Sequence, residues 1–366
     1  MSDLNQHDNW LTNDAVAAIV IREPLVPVEG PDGVFFPATY AAAEDKNVFP
    51  GGYNIDPPTG EKNVCLVDSV GSQANRIEPM FAESEYADLV PQVIIQAGEK
   101  SVNLLEAGHR AGDAIVRCTS LQRKLQNAFK AILQGNALDM AKIAPTSLVF
   151  GVWDSRDTQV KLPRLVASTI RALDVQKLTR SAQFNPATNY IGLGLLEDTT
   201  DKKVKDAYAE RGFIHVPASG SHRGVITKGG IRRDVTLSLA ALRLLSAGDD
   251  ADQTLALRRY VLGLTLVALT APPQTYLRQG CNLVPDVGHP KTITLVKADG
   301  THSELKITHD QAIDYATAAA KAFGVGESQT VKFDPDLAKK DIAGQGDVKP
   351  TRKGKAKAAE GKADAQ

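Results

Sequence analysis

Cysteine is scarce, with three residues in a chain of 366. Cys65, Cys118 and Cys281 lie far apart, without the close pairing that thiolate metal sites use. A disulfide framework and a cysteine-held metal are therefore not expected, and a reducing cytoplasm fits. Long apolar runs are also missing. The longest, Tyr260 to Ala271, is broken by Gly263, Thr265 and Thr270 and stops at Pro272-Pro273. It falls short of the ~18–20 residues that cross a bilayer, so it reads as a buried helix and no membrane partner is expected. The first residues carry neither the basic flank nor the apolar stretch of a secretory signal. Motifs of common catalysis are lacking too. There is no phosphate loop ending in Gly-Lys-Ser/Thr, no His-Glu-x-x-His and no nucleophile elbow. The seven histidines stand singly. The expectation is no enzyme, no cofactor and no metal. Finally, neither sign of charge dominates, the net charge being −1.

That mean hides an uneven distribution, and distribution governs recognition of a polyanion. Lys161, Arg164, Arg171, Lys177 and Arg180 share their stretch with one acid, Asp174. Arg223, Lys228, Arg232, Arg233 and Arg243, with His222, share theirs with Asp234. Hydrophobic residues make up 43% and charged residues 23%, the balance of a folded domain with a sizeable core.

The most informative stretch is Val64 to Pro79. Val64 to Val67 is an apolar run of strand length. Asp68, Ser69, Gly71 and Ser72 then supply turn and N-cap chemistry, and Gln73 to Ile77 open a helix. A strand, a polar turn and a helix start leave outward N–H groups at the positive end of a dipole, a natural anion site. An ordinary capped helix, with Arg76 paired to Glu78 or solvated, accounts for the same spacing.

Further along, Leu148 to Trp153 reads as a second buried strand closed by Asp154. Lys161 to Ala172, if helical, gathers Arg164, Ser168 and Arg171 near one face. Val235 to Leu245 reads as a helix, as do Ala111 to Leu133, Leu255 to Leu269 and His309 to Phe323. Tyr276 to Leu283 reads as extended, and Ile293 to Ile307 as a hairpin around Asp299-Gly300. Pro217 to Arg233, with four glycines among its basic residues, reads as a loop or hairpin. Asp68 and Asp154 both follow apolar runs. A metal pair is conceivable there, and two capping aspartates explain them more simply. The expected organisation is one domain over residues 1–325 and a mostly disordered basic tail over 326–366, whose lysines would at most add unspecific affinity for nucleic acid.

With these residues in hand, Val67-Asp-Ser-Val-Gly-Ser-Gln-Ala-Asn-Arg-Ile-Glu78 resembles the signature of the type I-U (I-G) CRISPR Cascade backbone subunit. That is the GSU-type, Cas-seven-like member of the RAMP superfamily. Phe150-Gly-Val-Trp-Asp-Ser155, Lys161-Leu-Pro-Arg-Leu165, Arg180-Ser-Ala-Gln183 and Gly229-Gly-Ile-Arg-Arg233 match in order, and the resemblance spans about Val34 to Leu283. It implies an α+β fold, an RRM-like (ferredoxin-like) palm with large insertions forming finger and thumb regions. Val64 to Asp68 would be the palm's first strand, and either Arg180 to Arg211 or Gly212 to Lys228 would be the thumb. It implies a cytoplasmic CRISPR RNA-binding protein of antiviral defence. Copies would assemble as a helical filament along the guide, present it to target DNA and meet other Cascade subunits. The RNA-binding residues it implies are Ser69, Ser72, Gln73, Asn75 and Arg76, then Arg164, Arg171, Arg180 and Gln183, then His222, Arg223, Lys228, Arg232 and Arg233. Two alternatives stand beside it: a metal-dependent RNase of the same fold, using Asp68 or Asp154, and an enzyme holding a small phosphate ligand at the helix start.

Overall fold

Val16–Pro27 (β1) alternates buried and partly open residues, so one side of the strand faces a core and the other does not. The computed structural model describes residues 4–58, 60, 62–179, 183–217 and 223–346. β1 lies at the centre of a nine-stranded sheet in which every pairing is antiparallel. Val64–Asp68 (β2) leads into the helix Val70–Ile77 (α1). Val166–Leu173 (β3) and Ile231–Ser238 (β4) follow, then the long helix Ala251–Thr270 (α2). Cys281–Pro285 (β5), Thr292–Lys297 (β6) and the helix His309–Phe323 (α3) close the main body. Across the sheet the long strands run β6, β1, β4, β3, β2, with β5 on the far half of β1's free edge. The fold is thus α+β. The expectation that β2 opens the sheet is corrected: β1 opens it, and β2 joins near one edge, with Ile55–Asp56 outside it.

Other expectations change as well. Lys161 to Ala172 is not helical; β-branched Val166, Thr169 and Ile170 favour the pleat, and β3 buries Val166, Ser168, Ile170 and Ala172. Val235 and Thr236 likewise belong to β4, and only Leu239–Leu242 winds up, capped by the Ser238 hydroxyl 3.1 Å from the Ala241 N–H. Leu148 to Trp153 is no single strand. Pro145 opens the helix Thr146–Phe150, Gly151 at φ 75° ends it, and Val152–Trp153 then pairs with Lys161–Leu162. Ala111 to Leu133 splits into Ala114–Arg117 and Gln122–Leu133. Regular structure also continues beyond residue 326: Gln329–Lys332 runs parallel to Val93–Ala97, and Pro335–Gly346 is helical. The lysine-rich stretch after residue 346 lies outside the described residues.

The core sits on the face of the sheet that carries Ile19, Ile21, Val235 and Leu237. α2 runs behind it and is buried on every side from Tyr260 to Thr270. The Tyr260 and Phe323 rings stack at 4.7 Å where α3 crosses α2. Two charges on this face are paired inside, Glu23 with Arg233 at 2.6 Å. On the opposite face Arg22, Arg171 and Thr236 reach solvent.

Between β3 and β4 the chain leaves the sheet as an arm. Its base is the ladder Val175–Lys177 against Val225–Thr227. Further out, Gln183–Phe184 pairs with Val216–Pro217, and the helix Lys202–Glu210 lies toward the tip. The two thumb candidates are therefore two legs of one arm.

Candidate nucleic-acid interface

Asp68, the last residue of β2, has a fully buried carboxylate. Its Oδ1 accepts from the Ser72 hydroxyl at 2.9 Å and from Arg278 Nη2. Its Oδ2 accepts from Gln73 Nε2 at 2.7 Å and Arg76 Nε at 3.2 Å. Gln73 Oε1 in turn accepts from the Ser168 hydroxyl on β3 at 2.9 Å. Three of the expected outward donors, Ser72, Gln73 and Arg76, therefore fold back onto one carboxylate and lock α1 to the sheet. Ser69 is the N-cap, its hydroxyl accepting from the Ser72 N–H at 3.2 Å.

α1 has two working faces. Gly71 and Asn75, four residues apart, share one of them. A Cβ on Gly71 would lie 3.8 Å from Arg164 Nη2, and one on Gly108 would lie 3.5 Å from Asn75 Nδ2. Asn75 Oδ1 accepts from Arg110 Nη2 at 3.2 Å. Arg110 is buried, with Nε 2.6 Å from Glu78 and Nη1 on the Gly151 carbonyl at 3.2 Å. Burial pushes the Glu78 carboxyl up to about 7 against the pull of Arg110, and burial lowers Arg110 in the same way.

Beyond Arg110 opens a cleft of about 340 Å³. His109, Arg110, Trp153, Lys161 and Arg164 line it, and no carboxylate does. Trp153 is 55% exposed, and Lys161, its register partner across the hairpin, sits 5.6 Å from its ring centroid. Neither Lys161 nor Arg164 has an ion pair among the described residues. Gly151 is required here: beyond its positive φ, a Cβ would meet the Arg164 side chain at 2.8 Å. Two cations without an ion pair and an exposed indole are groups whose chemistry suits an anionic or aromatic ligand.

The remaining expected residues fall elsewhere. Arg171 and Arg232 are register partners on the open face of the sheet, Arg232 tied to Asp234 at 2.8 Å. Arg233 is inside, on Glu23. Gln183, Arg223 and Lys228 belong to the arm and its base. Arg180 and His222 lie outside the described residues. Sequence reasoning left out Arg278, His109, Arg110, Lys161 and Trp153 as site residues. The alternation of Val152-Trp153 against Lys161-Leu162 was the available signal for the last two. Asp154 accepts from the Thr158 N–H and hydroxyl at 2.9 and 2.7 Å. Among the described residues no cluster of three metal-ligating side chains occurs, and no helix is long and apolar enough to cross a membrane.

Residues 19–177 match the family model described as CRISPR-associated protein GSU0053. The match covers less than half of the chain, and this part of it is similar to that family. The matched segment holds β1, β2, α1 and β3, and with them every residue lining the cleft. No curated protein matches the chain. The matched family is CRISPR-associated by its description.

Proposed function

We propose that this chain is the guide-RNA-binding backbone subunit of a type I-U (I-G) Cascade, a non-catalytic protein that assembles along the CRISPR RNA and presents it to target DNA. The observation that carries the reading is the carboxylate-free cleft beside α1, where Lys161 and Arg164 have no ion pair among the described residues and Trp153 is exposed, all within the matched segment. The strand order β6, β1, β4, β3, all antiparallel, is that of a split βαβ, ferredoxin-like palm, which supports the RRM-like reading. The arm between β3 and β4 is then the thumb. Exposed Phe184, Leu193 and Leu195 suit it to contact a neighbouring copy. Base pairing would read the sequence, and the protein would read backbone and shape. Asp68 is held through both oxygens by internal hydrogen bonds and Asp154 through Oδ2, and the proposal includes no cleavage step.

The test is RNA binding by fluorescence anisotropy across a salt series, with sizing of the complexes by light scattering. Arg164→Ala and Lys161→Ala should each weaken binding of unrelated guide-length RNAs to the same extent and flatten the salt slope by about 1. Trp153→Ala should cost about 1–3 kcal/mol, the worth of one stacked base. Complex mass should rise in steps with RNA length. If all three variants bind as the parent does, the cleft is not the RNA track.

A further inference from the structure

β6 is not the last strand on its side of the sheet. After the turn at Asp299-Gly300, His302–Glu304 (β7) pairs with it, Thr294 opposite Glu304 and Val296 opposite His302. β7 has no neighbour on its other side among the described residues. The Leu305 N–H donates to the Ile293 carbonyl at 2.9 Å, and the Lys297 N–H to the Thr301 carbonyl at 2.9 Å. Backbone groups alternate sides along an antiparallel strand, so Thr301, Ser303 and Leu305 turn theirs toward β6. Those of His302, Glu304 and Lys306 point outward, along a free edge.

The side chains alternate as well. Leu305 and Ile307 pack against the core. Glu304 and Lys306 stand on the opposite face, 74% and 84% exposed and 3.9 Å from each other. A cavity of about 590 Å³ lies beside this edge, lined by Ile293, Leu305 and Ile307 together with polar residues of the hairpin. Charged residues on an edge strand ordinarily discourage a further strand. Here the two signs stand two residues apart, which favours one particular strand: the same sequence running the other way.

We propose that β7 pairs with the β7 of a second copy of this chain, antiparallel, about a two-fold axis at Leu305. Residues opposite one another across such an axis share a face of the sheet, because side chains alternate with a period of two. An axis on Glu304 would set Glu304 against itself and His302 against Lys306. An axis on Ser303 would leave Lys306 without an acid opposite. The axis on Leu305 sets Glu304 of each copy opposite Lys306 of the other, and these are the residues whose N–H and C=O groups point outward. It also sets Leu305 against Leu305, covering apolar surface beside the cavity. The ladder is short and falls below the ~1,200 Å² of stable complexes, so the dimer is weak and exchanges readily. The proposal does not rest on the RNA reading, because β2, which leads into α1 and the cleft, is near the other end of the sheet.

The experiment is sedimentation equilibrium of the full chain, without RNA, from micromolar to millimolar concentration. A monomer–dimer equilibrium that stops at two copies is expected. Glu304→Lys and Lys306→Glu each set like charges opposite and should weaken the dimer about tenfold, while the double variant should return to within about threefold of the parent. Glu304→Pro removes only an outward N–H, so it should keep the parent's thermal midpoint and abolish the dimer. A monomer at every concentration overturns the proposal. Undiminished pairing by Glu304→Pro overturns it too, as does a double variant no better than the single ones. Mass that grows past two copies and ignores every edge variant would place self-association on the arm, and the edge assignment would fall.

Discussion

Glu78 is the residue where burial and charge conflict most openly. Its carboxyl is drawn up from 4.5 to about 7 because desolvation outweighs the adjacent Arg110. The folded protein therefore binds more protons at this residue than the unfolded chain does across that interval. Stability should fall as pH rises from about 4.5 to 7, by at most about 1.4 kcal/mol per unit, and this group adds no slope outside the window. His7, drawn down to about 4 by burial against Trp10 and Tyr315, works with the opposite sign, losing stability as pH falls below 6.5. The difference between the parent and Glu78→Gln isolates the first effect. Urea midpoints at pH 5, 6, 7 and 8 should show the parent losing ground to the variant as pH rises. Parallel profiles would mean that Arg110 keeps Glu78 ionised throughout. The same residues show the limit of reading a site from sequence. Ser72, Gln73, Asn75 and Arg76 have the composition of a phosphate cradle, and sequence reasoning turned them all outward. Ser72, Gln73 and Arg76 turn onto Asp68, only four to eight residues back, but the groups that hold this cluster inside come from far along the chain, Ser168 for Gln73, Arg110 for Asn75 and Arg278 for Asp68, and no local pattern reveals them.

Elements were legible where their signal was local and long. α2, α3 and the hairpin around Asp299-Gly300 were readable because capping residues, an unbroken apolar face or a turn dipeptide mark them. The segment of β3 admits a helical reading because Arg164, Ser168 and Arg171 satisfy a helical period, and the end of β4 from Val235 reads as helix because Leu239, Leu242 and Leu245 beyond it do. What decides them is the ladder each forms with the other and with β1, which is not local. The α2–α3 crossing yields a prediction whose sign distinguishes packing from propensity. Glycine to alanine inside a helix ordinarily stabilises by about 1 kcal/mol. At Gly263 the new Cβ would lie 2.7 Å from the Ala316 Cα, backbone that cannot yield without moving α3. Gly263→Ala should therefore lower the thermal midpoint, by several degrees for a cost of about 2 kcal/mol. A raised midpoint would show that the helices have slack at this crossing.

For the whole molecule, the C-terminal third is bound to the middle of the chain. Gln329–Lys332 supplies a parallel partner to Val93–Ala97, whose other edge pairs with Lys100–Asn103. The following helix returns across the chain, with Arg117 2.6 Å from Asp341. Composition gave no warning of this, since the stretch after Val325 is polar, and a short parallel strand leaves almost no sequence mark when its partner is more than two hundred residues away. The arrangement separates two truncations. Removing residues 347–366 is the reference truncation, because it leaves every described contact in place. Removing residues 327–366 strips the edge from Val93–Ala97, uncovers the core residues against which Val331 and Phe333 pack, and leaves Arg117, 7% exposed, without its carboxylate. Loss of an ion pair whose acid is partly solvated, together with a four-residue ladder, should cost about 3–5 kcal/mol. The shorter chain should melt at least several degrees lower and associate through the exposed edge, which melting curves and light scattering would both register. Equal midpoints for the two truncations would mean that the strand and helix only decorate the body, and that the fold closes at α3.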